Sequence, residues 1–148
     1  MGNLVRDLVG SNPALAGPHG DNKEVVRQYV EAFNAGDFER LRGLFAPDAI
    51  IYGALGWGSF DEVLPVWYDL HHGLSLKLQV EDMIAEGDIV AVRYHETGAF
   101  VGPYHGQQPT ERSYELVAME WFEVKDGKIR RRWTARDAAS QARQLGMQ

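Results

Sequence analysis

The spacing of hydrophobic residues changes near the middle of the chain, from helical periodicity to strand periodicity. Between residues 22 and 34, apolar side chains recur three or four positions apart, which predicts an amphipathic helix. A shorter helix is predicted over 38–45, and the Ser59–Glu62 capping box starts a third that runs to about His72. Four later segments show the two-residue alternation of β-strands: residues 76–85, 89–100, 112–124 and 128–137. Helices followed by a run of strands predict an α+β fold.

Two tight turns join these strands into antiparallel hairpins. Gly87–Asp88 forms one turn, and Asp126–Gly127 is typical of a type I′ turn, in which both residues need positive φ. With no bulge, the register counted outward from the second turn pairs Glu120 with Trp133. It also places Asp137 on the same inward face, so this face would hold two carboxylates beside a tryptophan.

Asp137 is the first candidate for chemistry. A carboxylate that faces an apolar interior is costly unless it is paired or used in a reaction. Asp137 also suits the N-cap of a short helix over 138–145, because aspartate is favoured there. Glu120 likewise allows two interpretations, a group that transfers protons or a diagonal ion pair with Arg131.

The strand over 89–100 contributes further candidates. Tyr94, Glu96 and Phe100 share the more apolar face, which predicts that they point inward. His95 then points outward. A bulge at Gly98 or earlier would turn His95 inward, where an imidazole can act as a general base near neutral pH.

Composition narrows the possible partners and cofactors. The 148 residues, 45% of them hydrophobic and 24% charged, fit one globular domain, with residues 1–21 as an extension and 22–148 as the domain. A net charge of −6 with one short basic run, Arg130–Arg132, argues against nucleic acid or an anionic membrane as a partner. Arg6 and Asp7 interrupt the apolar stretch at the N-terminus, which argues against a signal peptide and predicts a cytoplasmic protein.

Several kinds of site are not expected. The chain has no cysteine, so the sequence offers no disulfide and no thiol nucleophile. It has no H-x-x-H or H-E-x-x-H spacing for a metal, no glycine-rich phosphate loop and no G-x-S-x-G nucleophile motif. We therefore expect neither a metal nor another cofactor.

Several motifs together resemble a known family. N-K-E-V-V-R-Q-Y-V-E-A-F-N-A-G-D-F-E-R-L-R-G-L-F-A-P-D-A is followed by G-Q-Q-P-T, D-G-K-I and W-x-x-x-D-x-x-x-x-x-x-Q-L-G. This order resembles the SnoaL-like polyketide cyclases of the nuclear-transport-factor-2-like superfamily, over about residues 22–146. The resemblance implies a cone of about three N-terminal helices packed on a curved antiparallel sheet.

The resemblance also implies a function. The family's catalytic acid falls on Asp137, and relatives often have a pocket histidine where this chain has Ala99–Phe100. Where relatives often read D-H-G, this chain has Ile51–Tyr52–Gly53, so Tyr52 can replace a histidine as a hydrogen-bond donor. A small cofactor-free enzyme is implied, in which Asp137 moves a proton beside a carbonyl while Tyr52 or Glu120 orients the oxygen, giving an intramolecular aldol-type cyclisation.

Other functions remain open, because this fold also carries epoxide hydrolases, dehydratases, isomerases and non-catalytic binding or dimerisation domains. A pocket lined by aromatic residues would suit a flat, hydrophobic, oxygenated small molecule. The candidate substrate-binding residues are Phe33, Tyr52, Trp67, Tyr94, Glu96, Phe100 and Trp133.

The opposite face of the sheet predicts self-association. Val117, Met119 and Trp121, with Thr134 on the neighbouring strand, share that face by alternation. An exposed patch of this kind is large for a monomer. We therefore expect a homodimer or a higher homo-oligomer.

Overall fold

The computed structural model describes residues 20–53 and 56–147, which form helices packed against one face of a curved six-stranded sheet. The α+β fold expected from the sequence is confirmed. The expected extension over residues 1–21 lies almost entirely outside the described residues, so the division of the chain at residue 22 stays a prediction.

Of the four helices in the described residues, three precede the long strands, as the apolar spacing predicts. Asp37 begins the second helix, and its carboxylate accepts a hydrogen bond from the Arg40 backbone N–H at 3.1 Å. Ser59 and Glu62 form the predicted capping box at the third helix, with reciprocal bonds of 3.3 and 3.1 Å. The helices are α1 (Gly20–Ala35), α2 (Phe38–Gly43), α3 (Phe60–Leu74) and α4 (Ala138–Leu145).

The sheet is mixed, whereas the sequence predicted an antiparallel one. Its strands are β1 (Phe45–Gly53), β2 (Gly56–Gly58), β3 (Lys77–Glu86), β4 (Ile89–Ala99), β5 (Ser113–Lys125) and β6 (Lys128–Arg136). They lie in the order β2-β1-β6-β5-β4-β3, and the four long strands β3 to β6 form the expected antiparallel meander. Strand β1 instead pairs in parallel with β6. Parallel neighbours need a long connection between them, and here α3 and strands β3 to β5 provide it.

A β-bulge at Arg130 changes the register of the second hairpin. Asp126 and Gly127 have the positive φ values, 53° and 75°, of the predicted type I′ turn, and Val124 pairs with Ile129 as predicted. One residue further along, Glu123 already pairs with Arg131, so Arg130 has no partner on β5. The prediction that Glu120 pairs with Trp133 is therefore wrong.

Beyond the bulge, the two faces of β6 are exchanged relative to the uninterrupted register. Glu120 pairs with Thr134, and Ala118 pairs with Arg136. Because directly paired residues of an antiparallel ladder share a face, Arg132, Thr134 and Arg136 point toward the helices. Trp133 and Ala135 point to the opposite face of the sheet.

The core lies between the helices and the inner face of the sheet. Tyr29 packs edge-on against Phe122, with ring centroids 5.0 Å apart, and Trp67 lies edge-on against Phe33 at 6.0 Å. These aromatic side chains are fully or almost fully buried. In the described part of the chain, no helix is both long enough and apolar enough to cross a membrane.

Candidate active site

Two adjoining chambers lie between α3 and the inner face of the sheet. The larger one, which we call the mouth chamber, has a volume of about 290 Å³ and reaches the surface at the exposed residues Trp57 and Glu62. The smaller one, the deep chamber, has a volume of about 30 Å³ and lies toward α1 and β4. Five residues border both chambers: Trp67, Leu70, Arg132, Thr134 and Arg136.

Glu120 is the centre of the first buried polar cluster. Its side chain is buried on β5, and its Oε2 accepts a hydrogen bond from the Tyr29 hydroxyl at 3.1 Å. The Arg132 guanidinium donates to the same oxygen and forms an ion pair with Glu120. Arg132 also donates to the Tyr52 backbone carbonyl at 3.3 Å and lies 5.5 Å from the centroid of the Trp67 ring.

A second cluster of the same composition surrounds Glu96 on β4. The Tyr114 hydroxyl donates to Glu96 Oε2 at 2.6 Å, and Arg136 Nε donates to Glu96 Oε1 at 3.0 Å. A further Arg136 nitrogen forms an ion pair with Oε2, so both oxygens of Glu96 have partners. Arg136 also contacts Gln141 Oε1 at 3.4 Å. The inner face thus carries two Tyr–Glu–Arg clusters side by side.

Burial and charge set the protonation of these groups. Burial raises the pKa of Tyr29, Tyr94 and Tyr114 above the ordinary value of 10, and the neighbouring glutamates raise it further, so these phenols remain hydrogen-bond donors. Burial alone would lower the pKa of Arg132 and of Arg136. The paired glutamates outweigh that effect, so both pKa values are raised and both guanidiniums keep their charge.

Five of the predicted site residues border the chambers. Phe33, Tyr94, Glu96 and Glu120 border the deep chamber, and Trp67 borders both chambers. The predicted inward orientation of Tyr94 and Glu96 is confirmed, since both side chains are almost completely buried. Glu120 is paired with Arg132, which replaces the diagonal pair with Arg131 that the sequence allowed.

The prediction that Asp137 and Trp133 point inward is wrong. The bulge at Arg130 moves both away from the predicted inward row. Asp137 is exposed and is the N-cap of α4, where its carboxylate accepts a hydrogen bond from the Ser140 backbone N–H at 2.9 Å. Trp133 lies on the opposite face, edge-on to Trp57 at 5.8 Å. The same bulge turns Thr134 inward, although the sequence placed it on the outer face.

Three further candidates lie away from the chambers. Tyr52 is half-exposed, and its ring packs against Trp57 at a centroid distance of 5.1 Å on the outer side. His95 points outward and lies 3.0 Å from Glu115, because β4 and β5 pair without the bulge that would turn it inward. Phe100 is buried in the core and borders neither chamber.

The two arginines of the site, Arg132 and Arg136, were not predicted, although the sequence contains a signal for them. Glu96 and Glu120 were both assigned to the inner face, and two buried carboxylates require cationic partners. Alternation without a bulge would place Arg132 and Arg136, four residues apart on the neighbouring strand, on the outer face with Thr134. Among the described residues, no group of three or more His, Cys, Asp or Glu side chains is placed to hold a metal ion.

Comparison with known proteins identifies the family. The family model of the SnoaL-like polyketide cyclases matches residues 23–145. The chain belongs to the SnoaL-like polyketide cyclase family. No functionally curated protein matches its sequence significantly.

Several solved structures share this architecture. IdmH, a candidate polyketide cyclase from Streptomyces antibioticus, is 31% identical and superposes with a TM-score of 0.75, over 85% of this chain and 99% of IdmH. AclR, a candidate hydroxylase from Streptomyces galilaeus, is 24% identical with a TM-score of 0.79, over 86% of this chain and 82% of AclR. A candidate SnoaL-like polyketide cyclase from Jannaschia sp. CCS1 is 21% identical with a TM-score of 0.79, over 87% of this chain and 94% of that protein. The latter two likenesses show the shared fold.

Proposed function

We propose that this protein is a cofactor-free polyketide-cyclase-type enzyme that closes a ring in a small, largely apolar carbonyl compound. The observation that carries the proposal is the pairing of a buried glutamate with a guanidinium at the wall of an apolar cavity. The mouth chamber, at about 290 Å³, is at the lower end of the usual range of about 300–1,000 Å³ for ligand pockets. A compound of one or two rings fits that volume.

Glu120 supplies the base in this proposal. Proton removal from the carbon beside a carbonyl leaves an enolate, and the proton passes to Glu120. The enolate carbon then attacks a second carbonyl of the same molecule, forming a carbon–carbon bond and an alkoxide. The alkoxide takes the proton back, so the reaction needs no external oxidant or reductant.

Arg132 and Arg136 supply the stabilisation of negative charge. Both border the mouth chamber, and both retain their charge although they are largely buried. Fixed cations in a site with little water stabilise a developing enolate or alkoxide more than they would in solution. Trp67 and Val63 provide apolar surface for the carbon skeleton.

The direct test is turnover of synthetic linear β-polyketones, followed by chromatography and mass spectrometry. We expect the wild-type protein to accelerate ring closure and Glu120→Gln to reduce the rate roughly 10²–10⁴-fold, the usual contribution of a general base. Asp137→Asn is the matched control. It also replaces a carboxylate with a neutral amide, but Asp137 lies outside both chambers. A folded Glu120→Gln variant with wild-type turnover would rule out Glu120 as the base.

Glu120→Gln leaves Arg132 with a weaker buried partner, so its thermal midpoint must be measured as well. If that variant does not fold, Val66→Trp provides a second test, because Val66 borders the mouth chamber and contacts neither ion pair. Filling the chamber should raise KM or abolish turnover. If the wild-type protein binds these compounds without converting any of them, the protein is a binding domain and the catalytic proposal fails.

A further inference from the structure

Tyr104, in the loop between β4 and β5, brings a phenol to the wall of the mouth chamber. Among the described residues that border this chamber, it is the only tyrosine. The residue is almost completely buried, so its side chain faces the protein and the chamber instead of bulk water. A neutral phenol donates a hydrogen bond, and the carbonyl oxygen of a ligand accepts one. The chamber wall therefore carries a donor that suits a carbonyl compound.

Main-chain hydrogen bonds fix the position of this loop. The Tyr104 N–H donates to the Gln107 carbonyl at 3.1 Å, and the Gln107 N–H donates back to the Tyr104 carbonyl at 3.0 Å. The N–H groups of Val101 and Gly102 both donate to the Gly73 carbonyl near the end of α3, at 2.9 and 3.1 Å. These bonds attach the loop to α3 and set where the Tyr104 side chain begins.

Two neighbours hold the Tyr104 side chain itself. A Cβ atom at Gly73 would lie 3.1 Å from Tyr104 Cβ and 3.4 Å from its Cδ2, so the glycine allows a close approach to α3 that a larger residue would crowd. The His105 ring stacks on the Tyr104 ring with centroids 4.0 Å apart. A side chain that is already packed loses little freedom when a ligand binds, which favours a donor that is held in place in advance.

Arg136 provides the positive charge beside this phenol. Burial raises the pKa of Tyr104 above the ordinary value of 10, and the nearby charge of Arg136 offsets part of that rise, so the phenol keeps its proton. Arg136 donates to Glu96 and Gln141, and its guanidinium has further N–H groups. Its side chain is 16% exposed, compared with 8% for Arg132, so it is the more accessible of the two cations that border the chamber.

We propose that Tyr104 and Arg136 form a binding subsite for one carbonyl oxygen of the ligand, the oxygen that becomes the alkoxide during ring closure. Donors placed in advance around such an oxygen stabilise the negative charge that develops on it. Tyr104 keeps its proton throughout, so the proton taken from the substrate carbon still returns to the alkoxide. The catalytic part of this inference rests on the proposed function, whereas the binding of a carbonyl does not require turnover.

Carbonyl binding can be measured with α-tetralone, a two-ring ketone that has a single carbonyl and so cannot close a ring within itself. Infrared difference spectra with an isotope-labelled carbonyl report the hydrogen bonds to its oxygen. We expect the carbonyl band of the bound ketone to lie at a lower frequency in the wild type than in Tyr104→Phe. The variant should also bind about two- to tenfold more weakly, the effect of one lost hydrogen bond. Equal bands in the two proteins overturn the subsite, as does a wild-type protein that does not bind the ketone.

Tyr68→Phe is the matched control. Tyr68 is exposed on α3, stacks on His72 with ring centroids 5.4 Å apart and borders neither chamber. We expect this variant to keep both the wild-type carbonyl band and the wild-type affinity. A band that shifts equally in both variants would show an indirect effect of losing a tyrosine hydroxyl and would overturn the subsite.

Turnover of linear β-polyketones tests the catalytic part. We expect Tyr104→Phe to lower kcat on the order of a hundredfold, because one donor to the developing alkoxide is lost, and to change KM by less than about tenfold. An unchanged kcat in a folded variant would overturn the role of this oxygen in ring closure. Failure of the wild type to convert any polyketone would instead overturn the proposed function, and the carbonyl band would still decide whether the subsite exists.

Discussion

Asp137 shows how the role of a residue depends on which way it points. Its carboxylate caps α4 at the surface, so we expect Asp137→Ala to lower the free energy of unfolding by about 1 kcal/mol and Asp137→Asn to change it by a few tenths. Neither variant should slow ring closure, because the side chain borders neither chamber. Chemical denaturation and turnover of both variants check this. A hundredfold loss of turnover in a stable Asn variant would restore Asp137 as a catalytic group.

His71 predicts part of the pH dependence of stability. Its ring lies on the last turn of α3 against Gly36 and Phe38. Burial lowers the pKa of His71 below the ordinary 6.5, with smaller contributions from the positive charges of Lys77 and His72. The folded protein therefore binds this proton less readily than the unfolded chain does. The contribution of neutral His71 to the free energy of unfolding is therefore fully present above about pH 6.5. It is lost as the pH falls through the lower pKa of the folded state.

We expect the thermal midpoint of the wild type to fall between about pH 7.5 and about pH 5, and His71→Gln to reduce that fall. Calorimetry at several pH values measures both curves. The comparison at pH 7.5 is the control, because the wild-type imidazole is neutral there and any difference reports packing alone. Parallel curves for the two proteins would show that His71 does not contribute to the pH dependence.

At the scale of elements, the bulge at Arg130 determines which side of β6 faces the chambers. Deletion of Arg130 would remove only the unpaired residue, so Glu123 would still pair with Arg131, and Arg132 and Arg136 would still point toward the helices. Both buried ion pairs would be kept, whereas loss of the bulge at full length would break them at a cost of about 3–5 kcal/mol each. We therefore expect the deletion variant to stay folded in urea denaturation, with a free energy of unfolding close to that of Arg130→Ala.

Arg130→Ala is the control for this deletion. It keeps the number of residues and removes only an exposed contact with Asp48, 3.7 Å long, which should contribute less than about 1 kcal/mol. An unfolded deletion variant would contradict this prediction and show that the hairpin requires the bulge itself.

The same element explains how far the sequence could predict the site. Alternation on β4 and β5 is uninterrupted, so the inward positions of Tyr94, Glu96 and Glu120 could be predicted. On β6, three consecutive arginines interrupt the alternation of apolar and polar residues that would fix the register. The hydrophobic pattern therefore does not show the bulge. Only the need for cations beside two buried carboxylates indicated it.

At the scale of the whole molecule, helix spacing and turn residues were enough to predict the α+β fold. They could not predict the parallel pairing of β1 with β6, because that contact joins segments separated by most of the chain. Side-chain periodicity reports which face of a strand is buried, and it does not report which strand lies beside it.

The outer face of the sheet predicts self-association. Val117, Met119 and Trp121 are each more than half exposed. Met119, Trp121 and Trp133 border a groove of about 610 Å³ on this face. Apolar surface on this scale is usually covered by another protein surface. We expect sedimentation to show at least a dimer of the 16.6 kDa chain at micromolar concentration, and Trp121→Glu to shift it toward the monomer. Val101→Glu is the control, because Val101 is equally exposed on a loop away from this face. A wild-type protein that sediments as a monomer contradicts the prediction.

The single extra residue at Arg130 also affects how this strand can be compared between relatives. Formation or loss of the bulge at constant chain length replaces a whole row of cavity side chains while the strand sequence stays the same. Two relatives can then match position by position in an alignment and present opposite sides of β6 to their substrates. Transfer of a catalytic residue along this strand therefore requires that the bulge be located in both proteins first.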